Sequence, residues 1–461
     1  MAPPTHVLLI AVDTLRADHL GCYGYTRPTS PHLDRLAAGG TLFLDCVSPH
    51  IPTHPAFTTL HTGRDVFGHG VVAHAGATEP DEVPTLADLL SARGVFTAAV
   101  DNLGRWFTRG FELSRSYEWE KPPRGAWRKA EAVNAQALPA LNACAASDRP
   151  FLLFVHYWDP HTPYLPPPPF DRIFYEGDER DPSYRSMGPV FGFEPFREYF
   201  EQWMGGVTDV RFPIAQYDAE VAYADAAIAD LLTRLDELGL REQTLVVVVA
   251  DHGEIMDEHV GCFDHHGLYE GNVRVPCLLS WPGRVPAGRR LGGTVRMLDL
   301  APTVLDAFGL IDLGWEHGLP GQSLLGLAEH GDERGTCREV LLTECTWQRK
   351  RAWRTPQWKL IEALEPDAHG GPMVELYDRS DPLERNNLAE TRPEVVAELT
   401  ARMHGYARRR AAETGRPDPL VNGRITLRRI GPARPAASLP GERDPPDEKL
   451  YAEGGRDVAS P

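Results

Sequence analysis

Three short stretches hold the side chains able to activate an ester. LLIAVDT puts Asp13 at the exit of an apolar run, LVVVVADHGE puts Asp251 and His252 at the exit of another, and SPHIPTHPAFTTLHTGR puts Thr53 two residues before Pro55. Two carboxylates and an imidazole brought together make a divalent-metal site, and the nitrogen ligand moves the preference from calcium towards manganese or zinc. Any one Asp at a strand exit reads equally well as a turn residue or a helix cap. The set as a whole favours the metal. Pro55 suits the first position of a helix, which places the helix start at His54 or Pro55 and Thr53 just before it. There, free N–H groups and the helix dipole stabilise an anion. A hydroxyl is a weak nucleophile at neutral pH, and a metal ion beside such a dipole is a route to an alkoxide. Taken alone, Thr53 reads as an ordinary N-cap.

The elements that must position these groups are short aliphatic runs at residues 6–12, 95–100, 151–156, 244–250 and 276–281. Runs without a polar face are buried on both sides, which predicts an α/β fold with a large, mostly parallel sheet between helices. Ligands of such sheets bind at the carboxyl ends of the strands. A helix is predicted over 217–238, with Val221, Ala224, Ile228, Leu231, Leu235 and Leu238 on one face and Gly239 as its stop, and another over 298–308 before Gly309. Residues 160–213, Pro-rich and aromatic without a period, read as an ordered, loop-rich flap over the site. The catalytic domain is expected over 5–335. A smaller C-terminal α+β subdomain is expected over 336–430, with strands at 340–344, 358–361 and 374–377 and a helix at 392–409. Arg349, Lys350, Arg351 and Arg354 read as a charged loop, and 431–461 as a Pro-rich, poorly ordered tail.

The 461 residues, 42% hydrophobic and 24% charged, can bury a large core. A net charge of 47 − 65 = −18 disfavours nucleic acid and anionic membranes as partners. The apolar run at 7–12 is too short for a signal core or a membrane span, and seven cysteines without a C-x-x-C pair argue against a disulfide framework. A cytoplasmic protein is the expectation.

VDTLRADHLGCYGY, TSPHLDRLAAGGTLF, HPAFTTLHTGR, YWDPHTPYLPP, ADHGE, HHGLYEGNVRVPCLLSWPG, LDLAPTVLDAFGL and ELYDRSDPLERNNLA, in this order, resemble the sulfatase family of the alkaline phosphatase superfamily over residues 5–400. The resemblance implies a large α/β domain, a smaller C-terminal subdomain with an antiparallel sheet, and hydrolysis of an anionic ester through a covalent intermediate. Sulfatases carry a C-x-P-x-R motif whose Cys or Ser becomes formylglycine. Here the motif reads Thr53, His54, Pro55, Ala56, Phe57, and Thr cannot give that aldehyde, so no formylglycine is expected. The paired Asp-Asp becomes Asp13-Thr14 and the common Asp-Asn becomes Asp251-His252. The G-K-W-H segment becomes Asp101, Asn102, Leu103 and Gly104, and a later site lysine becomes His265.

What this implies is a metal held by Asp13, Thr53, Asp251 and His252, with Thr53, His161, Asn102 and His265 as the catalytic set. Asp159, His265 and His266 are left for a second metal or the substrate anion. The expected substrate is a small phosphate mono- or diester or a phosphonate monoester. A sulfate ester cleaved by unmodified Thr53 is the alternative, with a non-catalytic binding relative behind it.

Overall fold

The apolar runs do form the centre of a sheet. In a computed structural model, which describes residues 5–73, 82–259, 262–333, 336–345, 349–366 and 370–422, the strands of the N-terminal half are β1 (His6–Val12), β2 (Thr41–Val47), β3 (His50–Ile51), β4 (Phe96–Val100), β5 (Leu113–Arg115) and β6 (Phe151–Tyr157). They are followed by β7 (Thr244–Ala250), β8 (Arg274–Ser280), β9 (Arg289–Leu291), β10 (Val295–Arg296), β11 (Val340–Glu344), β12 (Lys350–Arg354), β13 (Trp358–Ala363) and β14 (Val374–Asp378).

The large sheet runs β10-β2-β8-β7-β1-β6-β4-β5, with β9 paired to β2. Its core, β7-β1-β6-β4-β5, is parallel, and β8 is antiparallel to both β7 and β2. Every residue of β1, β6 and β7 is buried, as strands covered on both faces require. The predicted large, mostly parallel mixed sheet is the observed one.

The second sheet runs β14-β13-β12-β11-β3. Its antiparallel strands come from the C-terminal part, but β3, two residues before Thr53, pairs in parallel with β11 through Thr343↔His50 and Glu344↔Ile51. The small sheet therefore grips the segment that leads into the Thr53 helix. A buried ion network ties it to the large domain. Arg354 reaches Asp45 at 2.5 Å and Glu270 at 2.8 Å, and Lys359 reaches Glu270 at 2.9 Å and Glu384 at 2.7 Å.

Several boundaries differ from expectation for local reasons. The helix predicted over 217–238 is Arg211–Glu237, because Pro213 falls in its first turn, where no N–H is required of it. The end of the flap is thus helical, and the flap also contains the helices Gly188–Gly192 and Glu194–Met204. Within the cationic stretch, Lys350–Arg354 is the interior strand β12 rather than a loop. Its charges are neutralised in place, by Asp418 for Arg351 and by Asp45 and Glu270 for Arg354. The C-terminal helix is Pro393–Thr414. The expected tail at 431–461 and the end of the 336–430 segment lie outside the described residues. Among the described residues, no helix is long and apolar enough to cross a membrane.

Candidate active site

Register alone brings the two acidic residues together. Val12 pairs with Ala250 on one side and Tyr157 on the other, so Asp13 and Asp251 leave adjacent strands at the same level. The Asp13 N–H extends the ladder to the Tyr157 carbonyl at 2.8 Å. Thr14 then turns with φ 53°, a strained value for a β-branched residue, and Tyr217 holds it by donating its hydroxyl to the Thr14 carbonyl at 2.7 Å. That turn aims the Thr14 N–H at Asp251 Oδ1 (3.2 Å), which also accepts the His252 N–H (2.8 Å).

Asp251 Oδ2 and both oxygens of Asp13 are left buried with no hydrogen-bond partner. One ligand atom from each of Asp13, Asp251 and His252 lies within 4.8 Å of the others. His252 Nδ1 sits 2.9 Å from the Gly253 carbonyl, an acceptor only, so Nδ1 carries the proton and Nε2 presents its lone pair. That Nε2 is 3.3 Å from Asp251 Oδ2, 3.8 Å from Asp13 Oδ1 and 3.1 Å from Thr53 Oγ1. Burial pushes Asp13 up, but the His161, His156 and His252 rings outweigh it and hold the carboxyl below its usual value. Burial and then the Asp13 charge push Asp251 up to about 7. Two buried carboxylates that cannot both ionise unaided, a lone pair and a hydroxyl, all convergent, fit a divalent cation.

Thr53 is the first residue of the helix Thr53–Thr62, capped by Pro52, so the helix starts earlier than the Pro55 rule predicts. Pro55 falls within the first turn, where its missing N–H costs nothing. Thr53 thus belongs to the first turn, whose N–H groups have no partner within the helix.

His161 follows β6. Its Nδ1 lies 2.8 Å from the Thr162 carbonyl, its ring packs 5.3 Å from Trp158 and 5.1 Å from His265, and burial lowers its pKa. His265 stacks on His252 at 4.8 Å, and burial, then His252 and His266, hold it well below the ordinary imidazole value. His266 Nδ1 is bonded to Asp264 Oδ1, and Asp264, His265 and His266 form a second group with ligand atoms within 4.8 Å.

Two sequence-selected residues are occupied elsewhere. Asp159 does not join His265 and His266. It faces Lys129 at 3.2 Å, in a buried triad that Glu220 completes at 2.8 Å from the same ammonium. Asn102 accepts the Trp158 indole N–H at 2.7 Å and donates to the Tyr117 carbonyl at 3.4 Å, which makes it a brace for that indole.

Sequence reasoning missed Lys129, His156 and Asp101 as parts of the site. The signal for His156 was present, as the lone basic side chain inside FLLFVHY. Lys129 gave none, because a lysine near a helix start looks solvated until its partners are known.

Comparisons with known proteins identify the family. The family model described as Sulfatase matches residues 5–310, and one described as N-sulphoglucosamine sulphohydrolase, C-terminal, matches 257–409. Arylsulfatase A from Homo sapiens is 28% identical over 92% of this chain and 92% of its own length. An ulvan-active sulfatase from Formosa agariphila is 25% identical over 83% of this chain and 76% of its own. Among solved structures, a phosphonate monoester hydrolase from Silicibacter pomeroyi shares the fold with a TM-score of 0.71 at 19% identity, covering 89% of this chain and 96% of that one. With its family model matched along most of the chain, on a fold that carries an acidic, histidine-rich site at its strand ends, the chain belongs to the sulfatase family, ester hydrolases of the alkaline phosphatase superfamily.

Proposed function

We propose that the chain hydrolyses small anionic esters by attack of Thr53 on the central atom, in a site built to hold one divalent cation. The observation that carries this reading is the position of Thr53 Oγ1, 3.1 Å from His252 Nε2 beside the unpartnered oxygens of Asp13 and Asp251. Asp13, Thr53, Asp251 and His252 would hold the ion, and manganese or zinc suits the imidazole better than calcium does. When bound, the ion supplies positive charge that lowers the cost of ionising the hydroxyl. Thr53 provides the nucleophile at a helix start that tolerates negative charge. His161 and His265, whose ring centroids lie 5.1 Å apart beside the Thr53 site, are assigned to the leaving-group oxygen and the substrate anion, with a protonated His161 supplying the proton that the departing oxygen needs. This use of His265 argues against a second metal at Asp264, His265 and His266. The 160–213 flap shapes substrate entry.

Two observations pull the substrate class in different directions. The sequence relatives are named for sulfate esters, which favours a sulfuric ester. The unmodified Thr53, with Phe57 in place of the motif arginine, favours a phosphate or phosphonate ester, since a hydroxyl nucleophile without a geminal partner has no carbonyl-forming route to expel sulfate. A phosphonate monoester hydrolase among the fold neighbours is consistent with the second. Parallel kcat/KM measurements on aryl phosphate, bis-aryl phosphate, aryl phosphonate monoester and aryl sulfate, with manganese and with zinc, decide between them. A phosphorus ester is expected to lead, and a leading aryl sulfate would reverse the assignment.

A further inference from the structure

The chain that carries His265 and His266 runs directly onto the small sheet, and each of the next four residues is held there by a side chain. Gly267 donates its N–H to Glu344 Oε2 at 2.8 Å, and the Leu268 carbonyl accepts from Lys359 Nζ at 3.0 Å. Tyr269 donates its hydroxyl to Glu375 Oε2 at 2.9 Å, and Glu270 donates its N–H to Glu384 Oε2 at 2.6 Å. The four holding residues come from β11, β13, β14 and the segment after β14, and all are buried. Hydrogen bonds kept from water in this way are strong, so the segment after His265 takes its course from the C-terminal subdomain.

Glu344 differs from the other three in what its main chain does. It pairs with Ile51, two residues before Thr53, and the preceding Thr343 pairs with His50 and meets the His50 ring through Oγ1 at 2.8 Å. One residue therefore joins both arms of the site. Its main chain holds the strand that leads to Thr53, and its carboxylate holds the turn that follows His265. That turn is defined on its other side as well. Gly267 has φ 100°, and a Cβ there would come within 2.9 Å of the Tyr269 ring. Its carbonyl accepts from Asn272 Nδ2 at 2.8 Å, and the Asn272 carbonyl accepts the Gly253 N–H at 2.7 Å. With Glu344 on the N–H and Asn272 on the carbonyl, the peptide groups on both sides of Gly267 are fixed.

We propose that Glu344 is a positioning residue that sets His265 against Thr53, so that the C-terminal subdomain determines the spacing between the nucleophile and the group assigned to the substrate anion. Truncating its side chain leaves the main-chain pairing of β11 with β3, and with it Thr53, in place, and releases the turn two residues after His265. The inference rests on the roles given to Thr53 and His265 in the proposed function.

The test is steady-state kinetics on the best ester, with inorganic phosphate as an inhibitor that probes oxyanion binding and Mn2+ calorimetry as a measure of the Asp13, Asp251 and His252 group. Full-length wild type is compared with Glu344→Ala, Glu344→Asp and Glu344→Gln. A displacement of about 1 Å in a positioned group costs on the order of a hundredfold, so Glu344→Ala is expected to lower kcat/KM by about that factor, with KM and the phosphate inhibition constant rising together. Its Mn2+ affinity should stay within about twofold of wild type, against the roughly 10–100-fold lost when a group that orients a ligand is removed. Glu344→Gln keeps an oxygen for the Gly267 N–H and should recover to within about fivefold of wild type. Glu344→Asp keeps the charge but withdraws the oxygen, and should not recover. A loss that came from weakened folding alone would lower kcat through the active fraction and leave KM and phosphate inhibition unchanged, and that result would overturn the proposal. A Glu344→Gln no better than Glu344→Asp would also overturn it, and Glu344→Asp against Glu344→Gln decides if Glu344→Ala does not fold. Full turnover by Thr53→Ala would instead overturn the proposed function, whatever Glu344 does.

Discussion

Removing the Lys129 charge should destabilise the fold strongly. Its ammonium is buried between Glu220 at 2.8 Å and Asp159 at 3.2 Å, and it also donates to the His161 carbonyl at 2.7 Å. Glu220 in turn accepts the Leu165 N–H at 2.7 Å, so one cation organises the start of the flap. Burial pushes Glu220 up to about 8 even with the lysine present. Lys129→Met leaves two buried carboxylates unneutralised, and breaking a buried pair from one side costs about 3–5 kcal/mol. A carboxyl whose folded pKa is raised destabilises the fold when ionised, and losing the lysine raises both further. The deficit should therefore be widest near pH 9 and narrow on acidification, by about 1.4 kcal/mol per pH unit per carboxyl while that carboxyl is titrating. Urea denaturation at several pH values measures it, and Lys129→Met/Glu220→Gln should recover at least half. A deficit under about 1 kcal/mol, or one that grows as pH falls, would refute the reasoning.

Three further outcomes are expected. His50, His61 and His69 are fully buried, and burial lowers them to about 4, about 4 and about 3, so each stays neutral in the fold while the unfolded chain binds protons below about pH 6.5. Stability is thus complete above that value and falls as pH drops towards 4, by about 2 kcal/mol per ring at pH 5, which thermal melts across the range will record. Arg354→Met, which leaves Asp45 and Glu270 short of a cation, should cost about 3 kcal/mol and raise hydrogen exchange in β11 to β14 ahead of the large sheet. Asp251→Ala should abolish tight manganese or zinc binding while the melting temperature of the metal-free protein holds or rises, because a buried carboxylate repelled by Asp13 is gone.

Much of this architecture was legible because the central strands are apolar on both faces. LLIAV and LVVVVA have no reading as surface elements, and the acidic residue that ends each marks the carboxyl edge of the sheet. Asp13, Asp251 and His252 came together as expected, since adjacent parallel strands in register leave no other arrangement. The misread parts depend on partners distant in sequence. Residues 349–354 look like a solvated loop until Asp45, Glu270 and Asp418 are placed around them. Asp159 looks like a free ligand until Lys129 arrives from the helix Lys129–Ala145. The Thr53 helix began early because Pro52, the cap, and Pro55, in the first turn, both fit a helix start, and local preference alone could not choose between them.

The central claim is that Thr53 attacks the ester, and rapid-quench turnover of the best substrate followed by peptide mapping tests it most directly. The account predicts a burst of about one leaving group per site, a transferred group on Thr53 in the quenched protein, and a loss on the order of a thousandfold or more in Thr53→Ala, with partial activity in Thr53→Ser. Near wild-type turnover by Thr53→Ala, or direct attack by water with no modified Thr53 at any time point, would contradict it.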